Sequence, residues 1–487
     1  MNKVWSLLWA VAVCFSTGAW AQEVNYTPYE KFDARNDDFS VVGRTGDRLY
    51  TYHTFEKEHY LDAYNDNMDK VATVVLDFFP AKIYETRFIA TPRQIIVLYQ
   101  AVSGNAVIQY AAALDERGLL KNKPVKLGEV KTGLLGPTKD YFSSAVSEDK
   151  KKVLIYSLKA KGDNVSLTGK LIDEDLKIER NVTLSAQGGN NVGHGEVLLA
   201  NNGNIYLPIF TPIGQRNYTD ELALLCAEDD TATHTVKSVK KLLPLRDRYA
   251  SRVYIKIDNV NGRVYLGGFY SEKKNGNFDG VLYAYYNMGD REWQSQRMIP
   301  FDAQIAGATG ERNTARAFND FNIKQLIIKN DGGFVMVSEE SYVTNRSTFS
   351  PGFGYYSWYY PSMGQNIREY YFNDILALSY NWEGQRDWFS FVRKQQYSQE
   401  DGGRFSSYAF LNSGATLGFL FNDYDVKNSR IQLATVDESG KSDMRSFTAE
   451  GNDNPDWLPR YGKQVSAREI VVPCFRKKQI CFAKVVF

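Results

Sequence analysis

The sequence predicts an all-β fold of repeated antiparallel units, a β-propeller, and three observations lead to this prediction. First, the composition suits a globular β-rich chain: 43% of the 487 residues are hydrophobic and 14% are aromatic, with 32 Tyr and 28 Phe. Second, one strand-like unit recurs along almost the whole chain. Third, helical periodicity is not sustained over a dozen residues outside 302–318. Short, evenly spaced strands without crossover helices indicate antiparallel sheets.

The N-terminus carries the pattern of a secretory signal peptide. Lys3 precedes the apolar run 4–15, and Ala19 and Ala21 place small residues at the −3 and −1 positions of a cleavage site. We therefore predict a signal peptide over 1–21. An uncleaved anchor helix is the alternative, but the apolar run is short for spanning a bilayer.

The rest of the chain, 22–487, is predicted to be a single exported domain. A lipoprotein signal is disfavoured because Val13, which is not a small residue, precedes Cys14. No later stretch approaches ~18 consecutive apolar residues, so we expect no transmembrane helix in the mature chain.

The repeated unit consists of a polar Asn or Asp, an apolar stretch, and an acidic or Asn turn that often contains Gly. The unit is clearest over 105–115, with Gly118 after it. Six of the seven gaps between successive copies fall within 49–59 residues, near the ~40–50-residue period of propeller blades, and the remaining gap is 94 residues. The residues that mark the end of each copy are Asn65, Asp115, Asp173, Glu228, Asn287, Asn381, Asp437 and Val486.

Eight markers predict eight blades. Each period also contains an apolar strand before the marker strand, such as 152–158 and 262–269, and Asn-Gly or Asp-Gly turns join the strands. Seven blades is the alternative count, because the first and last copies are the weakest. The chain ends at the third strand of its last unit, so we predict that 24–32 supplies the missing outer strand and closes the ring.

This architecture resembles the secreted β-propeller superfamily of bacteria over nearly the whole mature chain. The resemblance depends on repeat spacing and transfers no catalytic residue. The sequence lacks the Trp-Asp blade ends of WD40 repeats, the paired kelch pattern and the Ser-x-Asp-x-Gly-x-Thr-Trp box of sialidases. The resemblance implies a protein of the periplasm, the outer membrane or the outside of the cell, and some such propellers attach to export or uptake machines.

Three cysteines remain after the leader. Cys474 and Cys481 flank the polar turn 475–480 between two apolar runs. Opposed residues of an antiparallel pair lie ~4.5–5.5 Å apart, which a disulfide accepts, so we predict a Cys474–Cys481 bridge; two buried thiols are the alternative. Cys226 lies in an apolar run and is expected in the core. Neither cluster has a His or a further Cys at ligand spacing, so no metal site is predicted.

The 94-residue gap contains two insertions, at about 302–319 and 342–372. The second insertion is long for a loop, and loops longer than about a dozen residues are uncommon unless they are functional or disordered. Disordered segments are poor in aromatic residues, whereas this insertion is rich in them. Tyr and Trp supply rigid contact area with a polar group, so we predict that this insertion binds a partner. Folding over its own blade, plugging the channel and stacking on sugars are the alternatives. The predicted binding residues are Phe353, Tyr355, Tyr356, Trp358, Tyr359 and Tyr360.

Motifs of catalysis are scarce. The sequence contains no Gly-x-Ser-x-Gly elbow, phosphate loop or His-Glu-x-x-His, and no cofactor is predicted. His194 and Glu196 on a Gly-rich turn could place a general base near the channel, although a structural turn is the favoured interpretation. The stretch 275–280 mimics the start of a calcium loop, but Tyr286 stands where a bidentate Glu is needed, so a hairpin turn is predicted.

Charge and motifs together favour a binding protein. Lys+Arg 58 against Asp+Glu 57 leaves no basic surplus, which argues against nucleic-acid binding. We therefore predict an exported, non-catalytic propeller that binds a protein partner at the cell envelope, as a scaffold or as a subunit of an outer-membrane complex. A carbohydrate-active enzyme or a glycan-binding propeller is the alternative.

Overall fold

The computed structural model describes residues 24–132, 141–213, 218–230, 235–310, 316–348, 365–425, 428–447 and 455–487. These residues form eight antiparallel sheets in a ring, and the first strands of neighbouring sheets contact each other around the centre. The chain is an eight-bladed β-propeller, as predicted. The seven-blade alternative is excluded because the first and last units each form a complete sheet.

The first half of the chain supplies four blades after two short strands, β1 (Val24–Tyr26) and β2 (Glu30–Lys31). Blade 1 contains β3 (Phe39–Thr45), β4 (Arg48–Phe55), β5 (Glu58–Tyr64) and β6 (Lys70–Val75). Blade 2 contains β7 (Ile83–Ala90), β8 (Ile95–Ser103), β9 (Ala106–Leu114) and β10 (Val125–Lys131). Blade 3 contains β11 (Ser143–Val146), β12 (Lys152–Lys161), β13 (Asn164–Asp173) and β14 (Ile178–Gln187). Blade 4 contains β15 (Gly193–His194), β16 (Leu198–Leu199), β17 (Ile205–Phe210), β18 (Leu222–Asp230) and β19 (Thr235–Leu243).

The second half supplies the other four blades, with the helix α1 (Ala303–Ala308) between blades 5 and 6. Blade 5 contains β20 (Tyr249–Asp258), β21 (Arg263–Ser271), β22 (Gly280–Asn287) and β23 (Glu292–Pro300). Blade 6 contains β24 (Phe321–Ile328), β25 (Phe334–Thr348), β26 (Gln365–Tyr380), β27 (Arg386–Val392) and β28 (Gln396–Gln399). Blade 7 contains β29 (Ala409–Asn412), β30 (Thr416–Asp425), β31 (Asn428–Asp437) and β32 (Ser442–Phe447). Blade 8 contains β33 (Asp456–Trp457), a 3-10 turn (Pro459–Tyr461), β34 (Lys463–Gln464), β35 (Glu469–Arg476) and β36 (Gln479–Val486).

The N-terminal strand closes the ring, which confirms that prediction. β1 pairs with β36 from Val24↔Val485 to Tyr26↔Ala483, and β2 pairs with the other end of the same strand. Lys70 of blade 1 then binds Glu30 of β2 at 2.5 Å and the buried Asp62 at 2.9 Å. The two ends of the described chain therefore share one sheet, and this shared sheet closes the ring.

The Asn or Asp that marks the repeat caps the turn from the third to the fourth strand of a blade. The Asp115 carboxylate accepts hydrogen bonds from the backbone N–H groups of Arg117 (2.8 Å) and Leu119 (2.9 Å). Gly118 completes this turn at a φ of 81°, where a residue without Cβ is favoured. The recurrence follows from turn chemistry, because short Asx side chains bond the backbone just after them. The same two-bond pattern occurs at Asn65, Asp173, Asn381 and Asp437.

The core lies between blades. Leu49 of β4 packs in the apolar cluster shared with blade 8, whereas its neighbour Tyr50 packs in the cluster shared with blade 2. Successive side chains of a strand point to opposite faces of its sheet, so the middle strands must be apolar on both faces.

The meander gives the disc two faces. We call the face with the second-to-third strand turns and the connections between blades the upper face, and the other the lower face. Among the described residues, α1 and a long extension of blade 6 lie on the upper face, in the two insertions expected within the 94-residue gap.

Candidate functional site

A three-stranded ribbon projects from the upper edge of blade 6. β25 and β26 stay paired beyond the blade from Ser341↔Phe372 to Thr348↔Gln365, and β28 adds a third strand along Glu369–Phe372. A register shift between Glu339 and Ser341 separates this extension from the blade proper. We call residues 341–348, 365–372 and 396–399 the upper ribbon. The ends of the second insertion are thus paired strands, whereas the sequence had suggested a loop.

One face of the upper ribbon carries a row of tyrosines. Tyr342 lies directly opposite Tyr371, which lies opposite Tyr397. The first two ring centroids are 4.7 Å apart with nearly parallel planes, and the second pair is 5.1 Å apart. Tyr397 is 45% exposed. Cross-strand aromatic pairs stabilise such a sheet and form a rigid surface. We call these three residues the tyrosine row.

A buried carboxylate orients the tyrosine row. Glu369 accepts hydrogen bonds from the hydroxyls of Tyr397 (2.8 Å) and Tyr371 (3.4 Å) and from Thr344 Oγ1 (3.1 Å). Burial, reinforced by the Glu369 charge, raises the pKa of Tyr371, so its phenol stays a neutral donor at physiological pH. Because two hydroxyls bind Glu369, the row presents mainly its apolar rings outward.

A buried ion pair holds the base of the ribbon. Lys394 Nζ lies 2.8 Å from a Glu339 carboxylate oxygen, and both side chains are almost completely buried. Lys394 also donates to the carbonyl of Phe372 (2.9 Å), and Ser407 donates to Glu339 (2.8 Å). Burial lowers the pKa of Lys394, and the neighbouring Glu339 charge opposes this shift. The pair fixes the root of the ribbon to the segment that leads into blade 7.

The lower side of the ribbon rests on the connection between blades 6 and 7. The Arg460 guanidinium, which belongs to the 3-10 turn of blade 8, lies 4.8 Å from the centroid of the Phe372 ring. Gly403 adopts a φ of 68°, and a Cβ there would lie 2.5 Å from a Phe372 ring carbon. The chain therefore passes directly beneath the ring, and the ribbon is supported from below.

The outer edge of the upper ribbon is an open strand edge. Residues 343–348 pair with β26 on one side, and no strand in the described part of the chain pairs with their other side. Val343 on this edge is 55% exposed. An open edge strand can accept an additional strand from another chain.

The six predicted binding residues, Phe353, Tyr355, Tyr356, Trp358, Tyr359 and Tyr360, lie outside the described residues, in the chain that joins β25 to β26. Their role stays a prediction. Tyr342, Tyr371 and Tyr397 were not among the predicted binding residues. The local signal was weak: Glu369 and Tyr371 stand two positions apart, as do Tyr397 and Gln399, which is the spacing of side chains on one face of a strand.

The cysteine register agrees with the predicted bridge. Cys474 lies directly opposite Cys481 in the β35–β36 pair, and both side chains are fully buried. The structure contains them as thiols, so the disulfide stays a prediction. Cys226 is a fully buried core residue. The signal peptide lies outside the described residues.

The other candidates have structural surroundings. His194 is exposed on β15, and its Nδ1 lies 3.0 Å from the Gly195 carbonyl. Glu196 lies between β15 and β16 of blade 4, and its charge adds to burial in raising the pKa of Tyr156 and of Tyr254.

The calcium-like stretch 275–280 forms a hairpin turn. Asp279 accepts a hydrogen bond from the backbone N–H of Glu272 (2.7 Å), and Asn277 accepts one from the Asn319 amide (2.7 Å). The described residues contain no group of three or more His, Cys, Asp or Glu placed to hold a metal ion. Within the same ranges, no helix has the length and apolar character needed to cross a membrane.

The fold and the site define an eight-bladed β-propeller with a projecting aromatic ribbon. No protein-family model and no curated protein matches the sequence. Among solved structures, an oligogalacturonate lyase in complex with manganese is 9% identical over 96% of this chain and 98% of that chain, with a TM-score of 0.37. A protein from Lactobacillus plantarum is 13% identical over 78% and 88%, with a TM-score of 0.37.

Prolyl oligopeptidase B from Galerina marginata is 14% identical over 83% of this chain, with a TM-score of 0.36. The match covers 55% of that enzyme, so the chain spans about half its length. The assignment to the propeller class therefore depends on the sheet topology of this chain.

Proposed function

We propose that this protein is an exported, non-catalytic β-propeller that binds a protein partner at the cell envelope through the upper ribbon. The observation that carries the proposal is the tyrosine row, held in place by Glu369 and by the buried Glu339–Lys394 pair. The leader pattern at 1–21 supports export, and the resemblance to secreted bacterial propellers supports a periplasmic or outer-membrane location.

The ribbon suits protein recognition for two physical reasons. Rigid aromatic rings lose little conformational entropy on binding, and the polar groups of Tyr371 and Tyr397 already have a partner in Glu369. The open edge of 343–348 offers backbone groups that an extended segment of the partner can pair with. The aromatic residues at 353–360, which the sequence predicts to bind a partner, belong to the chain between β25 and β26 and lie outside the described residues.

Glycan binding is the second candidate, because the partly exposed Tyr397 ring lies beside the Gln399 amide, which donates towards Glu369 (3.4 Å). Sugars stack on aromatic faces and use amides and carboxylates at the rim. A sugar would need only the ring face and rim, whereas a protein partner would also use the edge strand.

Affinity capture from native envelopes tests the proposal. We place an epitope tag at Val260, which is 93% exposed on a lower-face turn, and leave the packed C-terminus untouched. The wild type should retain a partner in fixed stoichiometry. A folded Tyr371→Ala/Tyr397→Ala variant should lose it.

Trp382→Ala is the matched control, because Trp382 is a 60% exposed aromatic residue on the lower face. Partner recovery should be unchanged in this variant. Equal recovery from the double tyrosine variant would refute the proposal. The glycan alternative would be favoured if the wild type is recovered without a partner and binds a sugar saturably, and if the double tyrosine variant loses that sugar binding.

A further inference from the structure

Three cations from three blades converge on the inner strands of blades 1 and 2. Lys463 of β34 donates to the carbonyl of Val42 at 2.9 Å. Lys150, in the lower turn of blade 3, donates to the carbonyl of Ala90 at 2.7 Å. Arg87 of β7 donates to the backbone oxygen and hydroxyl of one serine of blade 3 at 2.6 and 2.7 Å. Each cation thus bonds to neutral acceptors and keeps further N–H groups for a ligand.

The two lysines reach the same place from opposite sides. Gly43 lies at a register shift in β3 with a φ of 120°. A Cβ at this position would lie 3.9 Å from Lys463 Nζ and 3.2 Å from the Cβ of Ala90, the residue whose carbonyl binds Lys150. The absence of a side chain at Gly43 therefore leaves space next to the ammonium group of Lys463.

The charge of this cluster is not neutralised by neighbouring carboxylates. Among the described residues, Lys463, Lys150 and Arg87 form no ion pair, whereas Arg44 on the neighbouring β3 binds both Asp66 and Glu469. Burial is the larger cause that lowers the pKa of Lys463 to about 8, and repulsion from the charges of Lys150 and Arg87 adds to it.

Two acidic side chains close to the cluster in sequence have other partners. Glu85, two residues before Arg87, is bound by the Gln100 amide at 2.5 Å, and Asp149, next to Lys150, is bound by the Ser147 hydroxyl at 2.7 Å. Although protein atoms surround much of the Lys463 side chain, all three cationic residues keep solvent-exposed surface. The site therefore holds positive charge with access for a ligand.

We propose that Lys463, Lys150 and Arg87 form a binding site for an oxyanion group, a carboxylate, sulfate or phosphate of a small ligand, at the lower end of the central channel. A guanidinium and two ammonium groups around one space are the donor set that such anions prefer. Protein walls around the site strengthen the attraction relative to open solvent. This site is separate from the upper ribbon and does not depend on the function proposed for it.

Competitive acetylation of the folded protein, analysed by peptide mass spectrometry, tests the site. We compare potassium chloride with inorganic phosphate, sulfate and malonate at matched ionic strength near pH 8. At pH 8 an anion that raises the Lys463 pKa from about 8 by one unit lowers its reactive free-amine fraction about fivefold, so labelling of Lys463 should fall by that factor. The ranking of the three anions identifies the oxyanion class.

Two variants make the test specific. In Arg87→Gln/Lys150→Gln, checked for folding by circular dichroism, the anions should no longer protect Lys463. Lys123→Gln removes an exposed lysine in the connection between β9 and β10 and should leave the protection intact. Unchanged Lys463 labelling in all three anions, or equal protection in the double variant, would overturn the proposal.

Discussion

Replacing Lys394 by Met tests whether the buried ion pair stabilises the base of the upper ribbon. The substitution keeps a long side chain but removes the ammonium that lies 2.8 Å from Glu339. The Glu339 side chain, which is 0% exposed, then keeps the Ser407 hydroxyl and a partly exposed Lys324 at 3.6 Å. The carbonyl of Phe372 also loses a donor. The carboxylate would be buried without an adequate counter-charge.

The expected loss of stability follows from leaving the Glu339 carboxylate buried without the Lys394 ammonium. Removing one partner of a buried ion pair costs about 3–5 kcal/mol, because the remaining charge stays in the interior. An unfolding entropy of ~2 cal/mol/K per residue gives on the order of 1 kcal/mol/K for a chain of this length, so the thermal midpoint should fall by about 3–5 °C. Glu339→Met/Lys394→Met removes both charges and should be more stable than Lys394→Met alone.

Circular dichroism melts measure both variants, and trypsin cleavage after the exposed Arg368 reports on the ribbon itself. Lys394→Met should be cleaved faster than the wild type. The control is Lys126→Met, which breaks a pair with Glu129 whose side chains are 50% and 41% exposed, and should not change the midpoint. A Lys394→Met midpoint within 1 °C of wild type would refute the reasoning, and so would a double variant that is no more stable than the single one.

Three further predictions concern a blade turn, the β35–β36 hairpin of blade 8 and the central channel. Asp115→Ala should lower the free energy of unfolding by about 1–3 kcal/mol in urea titrations, since two backbone hydrogen bonds are lost, while Asp115→Asn should retain most of it. In protein from an oxidising compartment, non-reducing peptide mapping should recover Cys474 joined to Cys481; two separate thiol peptides would contradict this. The Lys463 pKa lies at about 8 in the folded protein against 10.5 ordinarily, so the unfolded chain binds more protons between these values and stability should rise with pH across that window. Lys463→Gln should flatten that rise, and an unchanged slope would contradict the assignment.

The blade count was predictable because the marker residues have a local physical role. An Asx side chain caps a turn within its own four or five residues, so its identity and spacing are visible in the sequence. The third strands end at Leu114, Asp173, Asn287 and Asp437, each at the marker residue or one before it. Strand positions followed from turn chemistry alone, without knowledge of what the blades pack against.

Blade 4 shows the limit of this reasoning. Glu228 has the spacing of a marker residue, but β18 continues past it to Asp230. The Glu228 carboxylate is buried between blades 4 and 5. The hydroxyls of Tyr206 and Tyr286 each donate a hydrogen bond to the Glu228 carboxylate at 3.1 Å. Burial raises the pKa of Glu228, although these two hydrogen bonds act to lower it. An acid that caps a turn and an acid buried between blades look the same in sequence, because the partners come from distant strands.

The candidate sites depend on such distant pairings even more. The tyrosine row needs Tyr342, Tyr371 and Tyr397 in register across three strands, although the three residues are far apart in the chain. Composition revealed an aromatic insertion near blade 6 but could not reveal that its ends are paired. The cations in the channel come from blades 2, 3 and 8, and only ring closure brings Lys463 near Arg87.

Ring closure also determines how the two proposed sites relate to each other. The upper ribbon grows from blade 6 and rests on the connection to blade 7, whereas the channel cations lie at the lower ends of the inner strands around blades 1 and 2. A partner bound on the upper face would therefore leave the lower mouth of the channel accessible. Because the two groups share no residue and no hydrogen bond, substitutions at one should not change binding at the other. A double variant with both defects should therefore show each loss at its single-variant size, whereas a larger or smaller combined effect would mean that the propeller couples its two faces.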